Sequence, residues 1–252
     1  MKAAAFRALA NLRRRLSAED LALDLNPGDP QYRAFVGPPA DYDLIAAMTF
    51  NLLTTLGLRQ HHEVLDIGCG SLRVGRLLIP YLNAGCYTGV EPNRWLVDEA
   101  IRRETGRDQV RIKKPRFVFA SSPESLPAGR RFDIAVAQSI FSHAGPDLVA
   151  RWLGAAASHL KDSGALAATF IVGDQDCRSD GWTYPDCVTY KVETMAGMAR
   201  KAGLELQLLD WRHPRQTWAL YRKPGFDVTW FESAPLTWNL MLDRAAPTAR
   251  PS

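Results

Sequence analysis

Between residues 64 and 221, short apolar runs alternate with segments of helical period, and this alternation leaves few architectures open to the chain. The apolar runs are 64–67, 87–90, 116–119, 133–137, 166–172, 206–209 and 218–221. Helical periods fill 73–82, 95–103, 147–160 and 192–202, the last stopped by Gly203. A strand that is apolar on both faces offers none to water, so it belongs in a parallel sheet covered by helices on both sides. Ahead of these runs, Leu44, Ile45, Met48, Leu52, Leu53 and Leu56 recur at helical spacing behind Asp41 and Asp43, with Gly57 as a stop. They predict one amphipathic helix. Residues 26–39 are dense in Pro and Gly and read as an irregular connection. The expected organisation is a basic helix and connector over 1–40, one α/β domain over 41–224, and a tail over 225–252 with 245–252 disordered.

Composition narrows the partners. With 252 residues, 46% of them hydrophobic and 23% charged, the chain can bury a sizeable core. No apolar stretch approaches the ~20 residues of a spanning helix, so no membrane span is expected. The net charge of +4 is concentrated at one end, because Lys2, Arg7, Arg13, Arg14 and Arg15 occur in residues 1–16 without an acid. The remainder is electrically balanced and lacks the basic stripe of a nucleic-acid surface. Phe6, Leu9, Leu12 and Leu16 form a ragged helical stripe in the basic segment, which packs on its own domain or lies on a membrane surface or partner. Cys69, Cys86, Cys177 and Cys187 have no C-x-x-C spacing, which argues against a zinc site or disulfide framework and for a reduced, cytoplasmic setting. Trp230, Phe231 and Trp238 in the tail are expected to pack on the domain or on a second subunit, which makes a homodimer possible.

The run 64–75, VLDIGCGSLRVG, places a strand, Asp66, two glycines and a helix start in order. Gly68 and Gly70 let the backbone turn tightly and approach a ligand, and the helix start offers unpaired N–H groups. A G-x-G-x-x-G dinucleotide fingerprint would need glycine where Arg73 stands. Asp66 also suits a cationic amino-acid group better than a pyrophosphate. Glu91 closes the second apolar run about 20 residues after the glycine loop, where a carboxylate can accept from both hydroxyls of a ribose.

On these residues the chain resembles the class I S-adenosylmethionine-dependent methyltransferases, whose first motif is an acidic residue followed by G-x-G at the end of the first strand. The resemblance covers about 41–223 and departs from the family at Leu72, where many members carry a third glycine. It implies a Rossmann-like seven-stranded sheet, mostly parallel with an antiparallel last strand, with helices on both faces. It implies S-adenosylmethionine as cofactor, with Asp66, Gly68, Cys69, Gly70 and Arg73 in its wall. Glu91 then meets the ribose and Pro92 lies against the adenine. Ser121 or Ser122 takes the place of an aspartate that reaches the adenine amino group, and Gln138, ending the fourth strand, faces the transferable methyl.

Methyl transfer from a sulfonium mainly requires alignment and exclusion of water. A hydroxyl acceptor adds the need for a base, and His143, in the loop after the fourth strand, occupies the position where many small-molecule members carry one. Asp174 and Asp176 follow the fifth strand, but Gln138 and Ser139 supply no carboxylate after the fourth, so no catalytic metal is expected. The long segment 174–190 holds Trp182, Tyr184 and Tyr190 and reads as a substrate lid. His213 and Arg215, in the turn before the last strand, could hold a polar or acidic substrate group. The expected reaction is O-methylation of a small molecule. The alternatives are a nucleic-acid or protein methyltransferase and a binding protein without turnover.

Overall fold

The structure is a computed structural model that describes residues 21–229. Its elements are α1 (Tyr42–Thr55), β1 (Val64–Ile67), α2 (Gly75–Tyr81), β2 (Tyr87–Val90), α3 (Arg94–Ala100), α4 (Arg107–Lys113), β3 (Arg116–Val118), β4 (Phe132–Ala137), α5 (Pro146–His159), β5 (Leu160–Val172), β6 (Thr189–Tyr190), α6 (Val192–Lys201), β7 (Glu205–Leu208) and β8 (Thr217–Arg222). The strands lie in the order β3-β2-β1-β4-β5-β8-β7, with β6 paired to β5 off this path. β1 through β5 pair in parallel, and β8 runs antiparallel to both β5 and β7. This is the expected sheet with one short strand added.

Strand alternation divides the core into two layers. Val64, Ile134, Val136, Ala165, Ala167 and Leu220 face the layer that holds Leu52 and Leu53 of α1 and Leu78 and Ile79 of α2. Their neighbours Leu65, Ala135, Ala137, Leu166, Ala168 and Tyr221 face Trp152 and Leu153 of α5 and Met195 of α6. Both faces of the central strands are therefore dry, which is why these runs read as continuously apolar. In α1, Ile45, Met48, Leu52 and Leu53 are buried, whereas Leu44 is exposed and leaves the stripe.

Three local features differ from the expectation. α4 (RDQVRIK) has no buried residue and so no apolar stripe to announce it. β5 begins at Leu160, directly after α5 and ahead of the apolar run at 166–172, with a bulge between the Phe132 and Ile134 pairings on β4. Residues 26–38, expected as a connector outside the domain, pack over the carboxyl ends of the strands. They are anchored by Arg33, whose guanidinium bonds Glu104 and Asp43, while Glu104 also accepts from Tyr32 at 2.7 Å and from Arg76 at 2.9 Å. The expectations for residues 1–16, Trp230, Phe231, Trp238 and 245–252 lie outside the described residues. The described cysteines are free thiols. Among the described residues no helix is long and apolar enough to cross a membrane.

Candidate active site

A cavity of about 440 Å³ opens at the carboxyl ends of β1, β2, β3 and β4. Its inner wall begins where β1 ends. Gly68 (φ +67°) and Gly70 (φ +51°) hold left-handed backbone that a side chain would strain. A Cβ on Gly68 would meet Ile140 at 2.0 Å, and one on Gly70 would meet Val36 at 2.8 Å. Leu72, standing where the third glycine was expected, adopts φ +55° itself and is fully buried against Gly75. Gly75 has no room for a Cβ, since Tyr87 Oη would lie 2.7 Å from it.

The loop is fastened to β2 at two points. Cys69 N–H donates to the Val90 carbonyl at 3.0 Å, and Gly70 N–H donates to Glu91 Oε2 at 3.1 Å. Glu91 Oε1 accepts from the Asn93 backbone and side-chain amides, both at 2.8 Å. Burial pushes the Glu91 carboxyl above its usual value, against the pull of these N–H donors. It lines the cavity with lone pairs left for further donors, the chemistry a ribose diol requires.

Gly68, Arg73, Glu91, Pro92, Ser121, Gln138, His143, Trp182, Tyr184 and Arg215 all line the cavity. The other expected residues do not. Asp66 lies buried in β1 and accepts from Tyr87 Oη at 2.7 Å; burial lifts its carboxyl to about 7, against that bond and the charge of Arg73. Cys69 packs on Gly89, and Gly70 supplies its N–H to Glu91. The Ser122 hydroxyl donates to Glu124, and of the two serines expected at the adenine Ser121 lines the cavity. Tyr190, expected at the substrate, does not line the cavity: its ring is fully buried and its hydroxyl donates to the Ala144 carbonyl at 2.6 Å, which supports the lid from beneath. His213 stands behind Gln138, with ring Nε2 3.2 Å from the Gln138 amide nitrogen.

Two segments roof the cavity. The lid pairs with the loop after β4 through Gly145 N–H to Gly181 O at 2.7 Å, Thr183 N–H to His143 O at 2.8 Å and Val188 N–H to Ser142 O at 2.8 Å. Trp182 crosses to the β3 loop, donating to Ser121 O at 3.3 Å. The strap, residues 26–38, closes from the other side. Tyr184 Oη donates to the Phe35 carbonyl, and the Phe35 ring packs against Tyr184 and Trp95 with centroids 5.4 and 5.3 Å apart. Phe35, Val36 and Pro38 of the strap, with Asn93, Ile140 and Gln216, line the cavity without having been expected there. The two aromatics Tyr32 and Phe35 inside a Pro- and Gly-rich stretch were their one sign in the sequence.

The imidazole of His143 has a defined tautomer. Its Nδ1 lies 2.8 Å from the Asp186 carbonyl, which can only accept, so Nδ1 carries the proton and Nε2 keeps a bare lone pair. Burial lowers its pKa below 6.5, opposed by that carbonyl. Asp176 instead caps α6, accepting from Lys191 N–H and the Thr194 hydroxyl at 2.8 Å each. Among the described residues no cluster of His, Cys, Asp and Glu could hold a metal ion.

Residues 65–166 match a family model described as a methyltransferase domain. No curated protein matches the chain in sequence. Solved structures share its fold. Magnesium protoporphyrin IX methyltransferase from Synechocystis with bound S-adenosylmethionine superposes with TM-score 0.55 at 13% identity, over 73% of this chain and 81% of that one. An S-adenosylmethionine-dependent methyltransferase from Clostridium acetobutylicum gives 0.53 at 13% identity, over 85% and 99%. An O-methyltransferase family protein from Burkholderia thailandensis gives 0.53 at 14% identity, over 73% and 58%.

Proposed function

We propose that this chain, whose residues 65–166 match a methyltransferase-domain model, is a class I S-adenosylmethionine-dependent methyltransferase that methylates a small molecule on oxygen. The observation that carries this reading is His143, a neutral imidazole with a bare Nε2 in the wall of a roofed cavity. The cavity's size, about 440 Å³, and its two covers favour a small acceptor over a polymer.

The residues present fit the cofactor. Glu91 offers its remaining lone pairs to the ribose hydroxyls, Gly68 leaves room for close approach, and Pro92 and Ser121 flank the adenine end. Bound S-adenosylmethionine supplies a methyl group on a positively charged sulfur, open to in-line displacement. The chain's own residues then hold the acceptor in line, keep water out and receive a proton. Phe35, Val36 and Tyr184 enclose the acceptor and exclude water. The acceptor hydroxyl proton passes to His143 Nε2, and the Asp186 carbonyl, already bonded at Nδ1–H, steadies the imidazolium that forms. Incubation with labelled S-adenosylmethionine and a panel of phenols, alcohols and amines, alongside bulk tRNA and protein, tests this reading. Label is expected in an ether product of a small hydroxyl compound; label found only in RNA or protein would refute it.

A further inference from the structure

Resting on that reading, we propose that the acceptor hydroxyl is phenolic, carried on an aromatic ring that sits against Tyr184 and Phe35 with its oxygen at His143. Topology gives the acceptor its share of the cavity. The cofactor residues stand at the ends of β1, β2 and β3, and β4 separates these strands from the loops that follow β5 and precede β8. Those loops bring Tyr184, Pro185, Cys187, Arg215 and Gln216 to the cavity wall. Tyr184 touches His143, with ring centroids 5.2 Å apart, and Phe35 reaches it from the strap at 5.4 Å. Trp182, from the same lid, crosses back to Ser121 and belongs to the cofactor end.

At the acceptor end the polar side chains are bonded to one another. Gln216 Nε2 donates to Ser139 Oγ at 3.0 Å and to Ser142 Oγ at 3.2 Å, and its own oxygen is buried. Arg215 is paired with Asp41, and Tyr184 Oη donates to the Phe35 carbonyl. Since the Asp186 carbonyl holds His143 Nδ1, Nε2 is the side-chain acceptor that the described residues leave open to a ligand here. A sugar or other polyhydroxy compound would bury several hydroxyls with too few partners, at a cost for each. One hydroxyl on an apolar frame fits.

Two observations choose an aromatic frame over a saturated one. The first is the wall, where Tyr184 stands edge-on to His143 at 72° and Phe35 is tilted 41° to Tyr184. A flat ring meets such walls stacked or edge-to-face, with a gain beyond the area it buries that a puckered ring lacks. The second is the base. A histidine that takes a proton from an aliphatic hydroxyl is typically supported by a carboxylate bonded at its other nitrogen. Here that nitrogen donates to a neutral carbonyl, and burial keeps the imidazole below its usual 6.5 even with the Asp186 charge nearby. So weak a base is poorly matched to a water-like hydroxyl at ~15.7 and far better to a phenol at ~10.

The test offers the full chain p-cresol and naphthol, their saturated counterparts methylcyclohexanol and decahydronaphthol, methyl glucoside, and the amine toluidine. Transfer from labelled S-adenosylmethionine is measured for each, and calorimetric binding to the chain saturated with S-adenosylhomocysteine. The two phenols should show kcat/KM roughly 10²-fold or more above their saturated counterparts and bind at least about threefold tighter. Tyr184→Leu should bring the binding ratio close to one, whereas Tyr184→Phe, which keeps the ring, should preserve it. Methylcyclohexanol or methyl glucoside methylated as well as p-cresol overturns the phenol proposal and leaves oxygen methylation standing; label in toluidine alone overturns both. No preference for the phenols in binding to the wild-type chain overturns the proposal whatever the turnover, and decides even where a variant fails to fold. Tighter binding of the phenols with no label transferred to any compound would refute the methyl-transfer reading and leave the ring site standing.

Discussion

At the scale of single residues, Glu91 and His143 carry the sharpest expectations. Glu91→Ala removes a buried acceptor and also strands the N–H groups of Gly70 and Asn93. Its affinity for S-adenosylhomocysteine should fall by about 1–3 kcal/mol by calorimetry, with the fold retained because the residue ends a strand outside both core layers. His143→Ala should lower kcat for a hydroxyl acceptor by roughly 10²-fold or more at unchanged cofactor affinity, and should scarcely affect an amine or thiol. Burial lowers the imidazole pKa, so the bare base is already present below pH 6.5. The acid limb of the wild-type kcat/KM profile should therefore lie below that value and be absent from the alanine variant. A limb at higher pH would assign it to another group.

At the scale of elements, the strap is anchored on two carboxylates, Asp43 and the more buried Glu104. Glu104, 11% exposed, is shared by Tyr32, Arg33 and Arg76; burial opposes its charge, but hydrogen bonds from Tyr32 and Arg33 prevail and hold its pKa below the usual value. Glu104→Ala leaves the more exposed Asp43 as the remaining carboxylate of two largely buried guanidinium groups and should cost about 3 kcal/mol of stability, measured by denaturant unfolding. Hydrogen exchange should rise first across 26–38, since the anchor of that segment is what is lost. The element scale also separates what was legible from what was not. Strands β1, β2, β4 and β8 were readable because burial on two faces forces unbroken apolar runs. α4 was not, because a helix with no buried residue leaves no periodic trace.

At the scale of the whole molecule, truncation and pH give two readouts. Removing residues 1–16 lowers the net charge from +4 to −1 and should leave S-adenosylhomocysteine binding intact, whereas removing residues 1–38 takes away Phe35, Val36 and Pro38 from the cavity and should abolish it. Loss of binding in the shorter truncation, with the protein still folded, would bring the basic segment into the site. Asp66 links stability to pH. Its carboxyl titrates near 7 when folded and near 3.8 when free, so the folded state favours its proton. That contribution is complete below about pH 4 and is lost as pH rises through 7, up to about 4 kcal/mol in the ligand-free protein. Asp66→Asn should flatten this part of the stability profile in denaturant titrations at pH 5 and pH 8. An unchanged slope would mean that the carboxylate is ionised in the folded protein throughout that range.

The sequence by itself determined the order of the seven strands of the main sheet and of the helices that bury a face, the glycine turn after β1 and the carboxylate at the end of β2. Each of these is a local matter: a period of two or 3.6, a backbone angle that glycine tolerates, a fixed distance along one β-α-β unit. What closes the cavity was decided only in three dimensions. Tyr184 meets Phe35 across 149 positions of chain, Gln138 meets His213 across 75, and Arg33 meets Glu104 across 71. No local pattern encodes such pairs, because they arise where separate loops converge on one sheet edge. The same holds for Tyr190 and Ser122: the aromatic content of the long segment marked a tyrosine for the lid and the family resemblance a serine for the adenine, and packing turned one into the core and the other onto Glu124. Side-chain type limits which contacts a residue can make, and the tertiary arrangement of its neighbours decides which of them it makes.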